Sequence, residues 1–335
     1  MTNTVTKPLA GLHVIELAGI GPIPYAGQLL ADLGAKVTRI VKANSLELAV
    51  ETRGKDNLSL DIRRDEGRNT VLALVKTADI LIEGNRPGVA ERLGLGPAQC
   101  HAINPKLIYG RMTGWGQTGP WAHKAGHDIN YIALSGALLA MGDEDRPPTP
   151  PLNLVGDYGG GSMFLIMGIL SAVIQRSTTG KGQTIDAAIV DGTMSMMGIV
   201  YSLSEMGVWT PKRSSNLLDG SLPYYRCYRT QDDGFMAVGC IEPKFFVQML
   251  DILKLDPTSF GDQNDPAMRS QQIETLQTIF AAKTRTHWEA LFDSSDACIT
   301  PVLSYEEAPL HKQNKARHDK NEPHPAPAPK FSPRT

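Results

Sequence analysis

The chain has 335 residues and a formal charge of −2, from 33 basic against 35 acidic side chains, so no global field attracts nucleic acid or an anionic membrane surface. With 41% hydrophobic and 20% charged residues it has ordinary globular composition, enough for one large or two modest domains. The four cysteines, Cys100, Cys227, Cys240 and Cys298, show no CxxC spacing; they read as buried small hydrophobes in a reducing compartment, not as disulfides or metal ligands.

The stretch from Met1 to Pro8 lacks the apolar core of a signal peptide. Leu12–Leu17 is a β-branched apolar run and predicts a first strand. Pro22 and Pro24 then open a helical pattern through Gln28, Leu29, Leu30 and Leu33, and Gly34 stands where a helix C-terminal glycine belongs. Further strands are predicted at Val37–Val41, Asn57–Ile62, Ile80–Ile82 and Leu107–Tyr109, with a helix through Val71, Leu72 and Val75. This alternation predicts a mainly parallel sheet covered by helices, with right-handed crossovers. Gly19-Ile20-Gly21 follows the first strand, but Pro24 replaces the third glycine of a dinucleotide fingerprint. Arg39 and Lys42 close the second strand, where a cation suits a phosphate and not a ribose diol.

Met163–Ile174 is the longest apolar run; it is short of the ~20 residues that span a bilayer and reads as a buried helix. After about Ser195 the texture changes. Pro223–Arg229 and Phe235–Gly239 flank Asp232-Asp233-Gly234, a hairpin signal, and helical patterns follow at Phe245–Leu255, Gln271–Ala282 and His287–Phe292. The expected division is a large domain over 1–195 and a linker with a small α+β domain over 196–310. From about His311 the chain is polar, five of its final thirteen residues are proline, and no regular structure is expected. It ends Ser332-Pro333-Arg334-Thr335, which is not a peroxisomal signal, so the expected location is cytoplasmic.

Two short segments carry the chemistry. Gly126-His127-Asp128-Ile129-Asn130-Tyr131 offers an imidazole, and a histidine, with an ordinary pKa near ~6.5, serves as neutral base or charged acid. Gly156-Asp157-Tyr158-Gly159-Gly160-Gly161-Ser162 offers a carboxylate that reads as the N-cap of the apolar helix, with glycines that would let a substrate sit against bare backbone. For Asp157 to give up a proton near neutrality, burial has to raise its proton affinity. Two such groups on opposite faces of one carbon remove a proton from one side and return it to the other, the minimum equipment for racemisation. Met194, Met196, Met197 and Met206 read as core or as an adaptable apolar surface.

With these segments go Val14–Pro22, Ile82–Gly88, Arg92–Pro97 and Thr113–Pro120. Together they resemble, nearly end to end, the α-methylacyl-CoA racemases, a branch of the family III CoA-transferase superfamily. Many of the strings are shared across that superfamily, whereas the His127 segment is narrower, because its transferases usually have another residue there. The resemblance implies a Rossmann-like large domain with a mainly parallel sheet plus a smaller α+β domain, an interlocked homodimer, and a C-terminal tail, 311–335, that returns to the large domain. It implies CoA contacts at Lys42, Leu60, Asp61, Ile62, Arg63, Gly84, Asn85, Arg86, Arg92, Gly126, Asp128, Ile129, Asn130 and Tyr131. His127 and Asp157 become the catalytic pair, with Glu242 orienting His127. CoA is then part of the substrate, not a separate cofactor, and neither nucleic acid nor a membrane is an expected partner. The implied reaction is racemisation of 2-methylacyl-CoA thioesters, (2R) to (2S) and back, through an enolate. The alternative is a CoA-transferase in which Asp157 is the nucleophile.

Overall fold

The computed structural model describes residues 7–43, 48–318 and 325–332. Met1 to Thr6 and the terminal Pro333 to Thr335, on which the expectations about targeting rested, lie outside them. The chain forms two compact units: Met1–Leu138, Pro150–Ile199 and Pro325–Thr335 make the first, and Leu139–Thr149 with Val200–His324 the second.

The first unit is a sheet of six parallel strands in the order β3-β2-β1-β4-β5-β6. They are β1 (His13–Leu17), β2 (Lys36–Val41), β3 (Lys55–Ser59), β4 (Ile80–Glu83), β5 (Ile108–Thr113) and β6 (Thr184–Ala188). Helix α1 (Pro22–Asp32) links β1 to β2, and α2 (Asp65–Val75) links β3 to β4. Two prolines in the first turn of α1 cost no hydrogen bond, since those N–H groups have no intrahelical acceptor. Gly34, at φ 104°, ends the helix as its sequence position predicts.

The central strands are buried on both faces, which suits near-continuous apolar runs. Val14, Ile80, Ile82, Ile108, Leu165 and Ile169 form one core layer, and Ile15, Leu81, Val71, Leu107 and Tyr109 the other. The exceptions are charged. Glu16 is fully buried in β1, with Arg39 Nε at 3.2 Å and Lys55 Nζ at 2.7 Å. Arg39 is therefore part of the sheet's interior and is not placed as a free phosphate ligand. On the other side of the sheet, Arg111 bridges Glu83 at 3.1 Å and Glu91 at 2.8 Å.

The apolar helix differs from its expected form in length. A π-helical segment, Leu154–Met163, runs directly into α4 (Phe164–Thr179). The resulting 26 residues are long and apolar enough to cross a bilayer by length and composition. Leu165, Ile166, Ile169 and Ala172 nevertheless pack into the core of the sheet, as in the central helix of a globular unit. After β6, helix α5 (Ile189–Met196) lies against the π-helical segment. Met194 and Met196 on α5 and Met206 in the second unit are exposed and do not belong to either core.

The second unit holds the antiparallel sheet β7-β8-β9, with β7 (Tyr225–Arg229) and β8 (Phe235–Gly239) joined at the predicted hairpin and β9 (Ile299–Pro301) added on the far side of β8. Three helices cover it: α6 (Pro243–Leu253), α7 (Arg269–Ala281) and α8 (Arg285–Phe292). Its core is aromatic. Tyr228 stacks on Phe280 at 5.2 Å, and the buried polar tips are satisfied, with Tyr228 OH donating to the Pro223 carbonyl and Trp288 Nε1 to that of Phe280. Two sequence expectations fail here. Cys227 and Cys298 are exposed, while only Cys100 and Cys240 are buried. Residues after His311 do form a helical turn, Lys312–Arg317; the prolines all fall later, and His311 Nδ1 accepts the Gln313 N–H at its start. Beyond it, in the first unit, Arg53 donates to the Pro325 carbonyl.

Candidate active site

A cavity of about 330 Å³ lies at the carboxyl ends of β1, β4 and β5. Strands β1 and β4 are neighbours whose connections leave in opposite directions, and such switch points are where open α/β sheets bind ligands. Its wall comprises Ile20–Ile23 after β1, Gly84–Pro87 after β4, Met112–Trp115 at the end of β5, and Ile189 after β6, with Gly126, His127, Tyr131 and Asp157. The imidazole and the carboxylate singled out in the sequence thus line one space.

His127 is exposed and directly precedes α3 (Asp128–Leu134). Its backbone N–H donates to Asn130 Oδ1 at 3.0 Å, which fixes the turn from which the imidazole projects. The small size of Gly126 serves packing more than ligand approach. A Cβ there would stand 2.7 Å from Tyr131 Cε1 and 3.0 Å from Trp115 Cζ2. Tyr131 packs edge-on to Trp115 at 4.8 Å and its hydroxyl donates to the Gly126 carbonyl, so this aromatic pair braces the His127 loop.

Asp157 is not a helix N-cap. It sits inside the π-helical segment, whose first cap position is Asn153. Nor do the following glycines face a ligand. A Cβ on Gly160 would come within 2.3 Å of Thr193 Oγ1, and one on Gly192 within 2.0 Å of the Gly160 carbonyl. The glycine run therefore exists to let the segment approach α5. The approach from α1 is equally close: buried Ser162 donates from Oγ to the Pro22 carbonyl at 2.7 Å. Burial, then the charge of Asp128, pushes the Asp157 carboxyl up to about 6, while a hydrogen bond from Asn153 and the proximity of His127 pull the other way. The sequence-based requirement that burial raise its proton affinity is met.

Gly21 makes the carboxylate's seat. Its backbone has φ 68° and ψ −116°, and a Cβ would stand 2.7 Å from Asp157 Oδ2. Gly21→Ala should therefore cost about 1–3 kcal/mol of backbone strain and also displace the Asp157 side chain. The expected outcome is a folded protein by circular dichroism with catalytic turnover reduced more than tenfold; unchanged turnover would show that the contact is idle.

The predicted CoA contacts fall into three groups. Gly84, Asn85, Arg86, Gly126 and Tyr131 belong to the main cavity. Lys42, Leu60, Asp61 and Arg63 line a separate cavity of about 280 Å³ where β2 and β3 end. Ile62, by contrast, packs on the core layer beneath. Arg92, Ile129 and Asn130 are exposed and line neither cavity. Asp128 requires a correction: its carboxylate is buried and turned inward, where Oδ2 accepts the Asp157 N–H at 2.6 Å, so it does not face a ligand. Glu242 lies in the second unit, exposed, at the residue before α6. Trp115 and Lys124 line the main cavity but were not singled out from sequence. Lys124 Nζ lies 4.0 Å over the Trp121 ring, and that Trp–x–x–Lys spacing was the available signal.

Comparison with known proteins agrees with the fold. The description CoA-transferase family III matches residues 9–332. The chain is 42% identical to the α-methylacyl-CoA racemase of Mus musculus over 329 residues, covering 97% of this chain and 86% of that one. It is 30% identical to the acetyl-CoA:oxalate CoA-transferase of Acetobacter aceti, over 93% and 85% of the two chains. The crystal structure of a CAIB/BAIF family protein from Brucella suis superposes with a TM-score of 0.77 at 26% identity, over 93% and 88% of the chains.

Proposed function

The chain belongs to CoA-transferase family III, and we propose that within this family it racemises 2-methylacyl-CoA thioesters by moving a proton between the two faces of the α-carbon. The observation that carries this reading is that His127 lines the same cavity as an Asp157 carboxyl pushed up to about 6. A carboxyl so raised exchanges its proton near neutral pH, and the imidazole is the second proton carrier on the same cavity. The 42% identity to the murine racemase supports the same choice.

The thioester carbonyl acidifies the α-proton. In the (2S) to (2R) direction His127 takes that proton, a planar enolate forms, and Asp157 returns a proton to the opposite face; in reverse the roles exchange. CoA enters only as part of the substrate. Lys42 and Arg63, in the cavity at the ends of β2 and β3, and Arg86 in the main cavity are cations suited to its phosphates.

The pH dependence follows from the carboxyl. Turnover needs one group protonated and the other not. As pH falls through about 6 Asp157 takes up its proton and no longer serves as base, so kcat/KM in the (2R) to (2S) direction, which Asp157 begins, should fall about tenfold per unit. An acid limb with its midpoint near the ordinary range for a free aspartate would sink the assignment.

The second reading, CoA transfer, is favoured by the family's transferases, such as the Acetobacter aceti relative. There the Asp157 carboxylate attacks the thioester carbonyl, CoA leaves as thiolate, and a mixed anhydride remains. Proton NMR of a (2R)-2-methylacyl-CoA in D₂O without any acyl acceptor separates the two. Loss of the α-proton signal with growth of the (2S) epimer supports racemisation. No exchange, together with CoA movement to an added free carboxylic acid, would replace it with transfer.

A further inference from the structure

We infer that Asp128 is the positioning residue of this site: its buried carboxylate ties down the backbone that carries Asp157 and, through its charge, sets how tightly Asp157 holds its proton. The inference rests on the racemase reading for its kinetic consequence, but not for its geometry.

Asp128 is 9% exposed, on the first residue of α3, and its Oδ2 accepts the Asp157 N–H at 2.6 Å; burial raises its proton affinity, and hydrogen bonding from the Asp157 and Gly156 backbone pulls the other way. The fit is tight, because a Cβ on Gly156 would stand 2.3 Å from the same oxygen. Oδ1 is also buried and has no hydrogen-bond partner among the described residues. Backbone anchoring alone needs a single acceptor oxygen, which an amide supplies as well. A carboxylate with one oxygen unpartnered carries a charge that the anchoring does not require, and burial makes that charge costly. Its effect is felt one residue away, at the Asp157 side chain, where a like charge in a poorly solvated place disfavours ionisation.

Other charged groups around the segment are engaged elsewhere. Asp32 pairs with Arg53, Arg111 with Glu83 and Glu91, and Arg176 with Asp79. Asp186 accepts the Gln117 N–H, and Asp191 on α5 is exposed. Arg86 lines the cavity on the Tyr131 side, and Tyr25 of α1 stacks against Tyr158. Among the described residues, Asp128 raises and His127 lowers the proton affinity of Asp157.

The test is Asp128→Asn, which keeps an acceptor oxygen and removes the charge. The acid limb of the kcat/KM profile for epimerisation should move down by roughly one pH unit, with the circular dichroism spectrum unchanged. A variant that folds and keeps the wild-type limb overturns the proposal. Asp128→Ser, which also keeps an oxygen without charge, is made alongside in case the amide does not fold. Carboxyl ¹³C NMR of wild-type protein gives a readout free of catalysis. Asp128 and Asp157 should titrate as a coupled pair in two separated steps, and independent ordinary titrations would overturn the coupling even if the protein racemises. If the protein does not racemise, the two-step titration still establishes the pair, so failure of the reaction and failure of the pairing are told apart.

Discussion

His127→Ala and Asp157→Asn should each lower racemisation by about 10²–10⁴-fold, and they should fail in complementary ways. Each variant keeps one of the two groups that line the cavity. A remaining base still faces one side of the α-carbon and can take a proton from it and give a deuteron back to the same side. In His127→Ala the surviving Asp157 should wash deuterium into the (2R) epimer without inverting it, and Asp157→Asn should do the same for the (2S) epimer through His127. Affinity for free CoA, measured by calorimetry, should stay within a few-fold, because the cations proposed to hold its phosphates are untouched. NMR in D₂O reads exchange and inversion separately in one tube. If both variants exchange the same epimer, or if either racemises at the wild-type rate, the two-face arrangement is wrong.

Lys55→Ala should destabilise the first unit by about 3–5 kcal/mol, a large share of the roughly 5–15 kcal/mol that holds a domain folded. Lys55 Nζ is fully buried and bonds Glu16 Oε2 at 2.7 Å and the Pro24 carbonyl at 2.8 Å. Removing it leaves Glu16, itself fully buried, with less countercharge. Helix α1 presses on this group so closely that a Cβ on Gly27 would stand 1.9 Å from Glu16 Oε2, so there is no room for the carboxylate to move away. The sign of the pH dependence is fixed. Burial already raises the Glu16 carboxyl above its ordinary range, and losing Lys55 raises it further. A group whose folded-state proton affinity is raised contributes stability at low pH that is lost as pH rises. The deficit should therefore narrow between pH 7 and pH 5. Urea unfolding at both pH values checks this; a deficit under 1 kcal/mol, or one that widens on acidification, would contradict it. The disturbance also reaches the site, because α1 begins at the residues that seat Asp157.

The parallel architecture of the first unit was legible because its central strands are apolar on both faces and separated by helical periodicity. The edge strand β6, Thr184–Ala188, escaped because Thr184 and Asp186 break the apolar run where one face meets solvent. β9 has three residues and no pattern of its own. In the site, local sequence pointed to His127 and Asp157 but misread their settings. An Asp before three glycines looks like an N-cap, and only the proximity of α5 shows that the glycines are spacers in a π-helical run. Asp128 looks like a ligand group beside His127, and only the return of residues 156 and 157, brought back by the fold, turns it inward. Burial of Asp157, which its sequence role required but did not show, comes from the fold. The second cause of its raised proton affinity, the neighbouring carboxylate, is also a tertiary fact.

The strand order has a consequence for synthesis. In β3-β2-β1-β4-β5-β6 the first strand made is interior, and every later strand joins an edge of what is already paired: β2 and β3 on one flank, then β4, β5 and β6 on the other. A chain leaving the ribosome N-terminus first can thus lay down the sheet without reopening any hydrogen-bonded pair. The residues around Gly21 are made early, and the Asp157 carboxyl that they seat is made only after N-to-C synthesis has delivered five of the six strands.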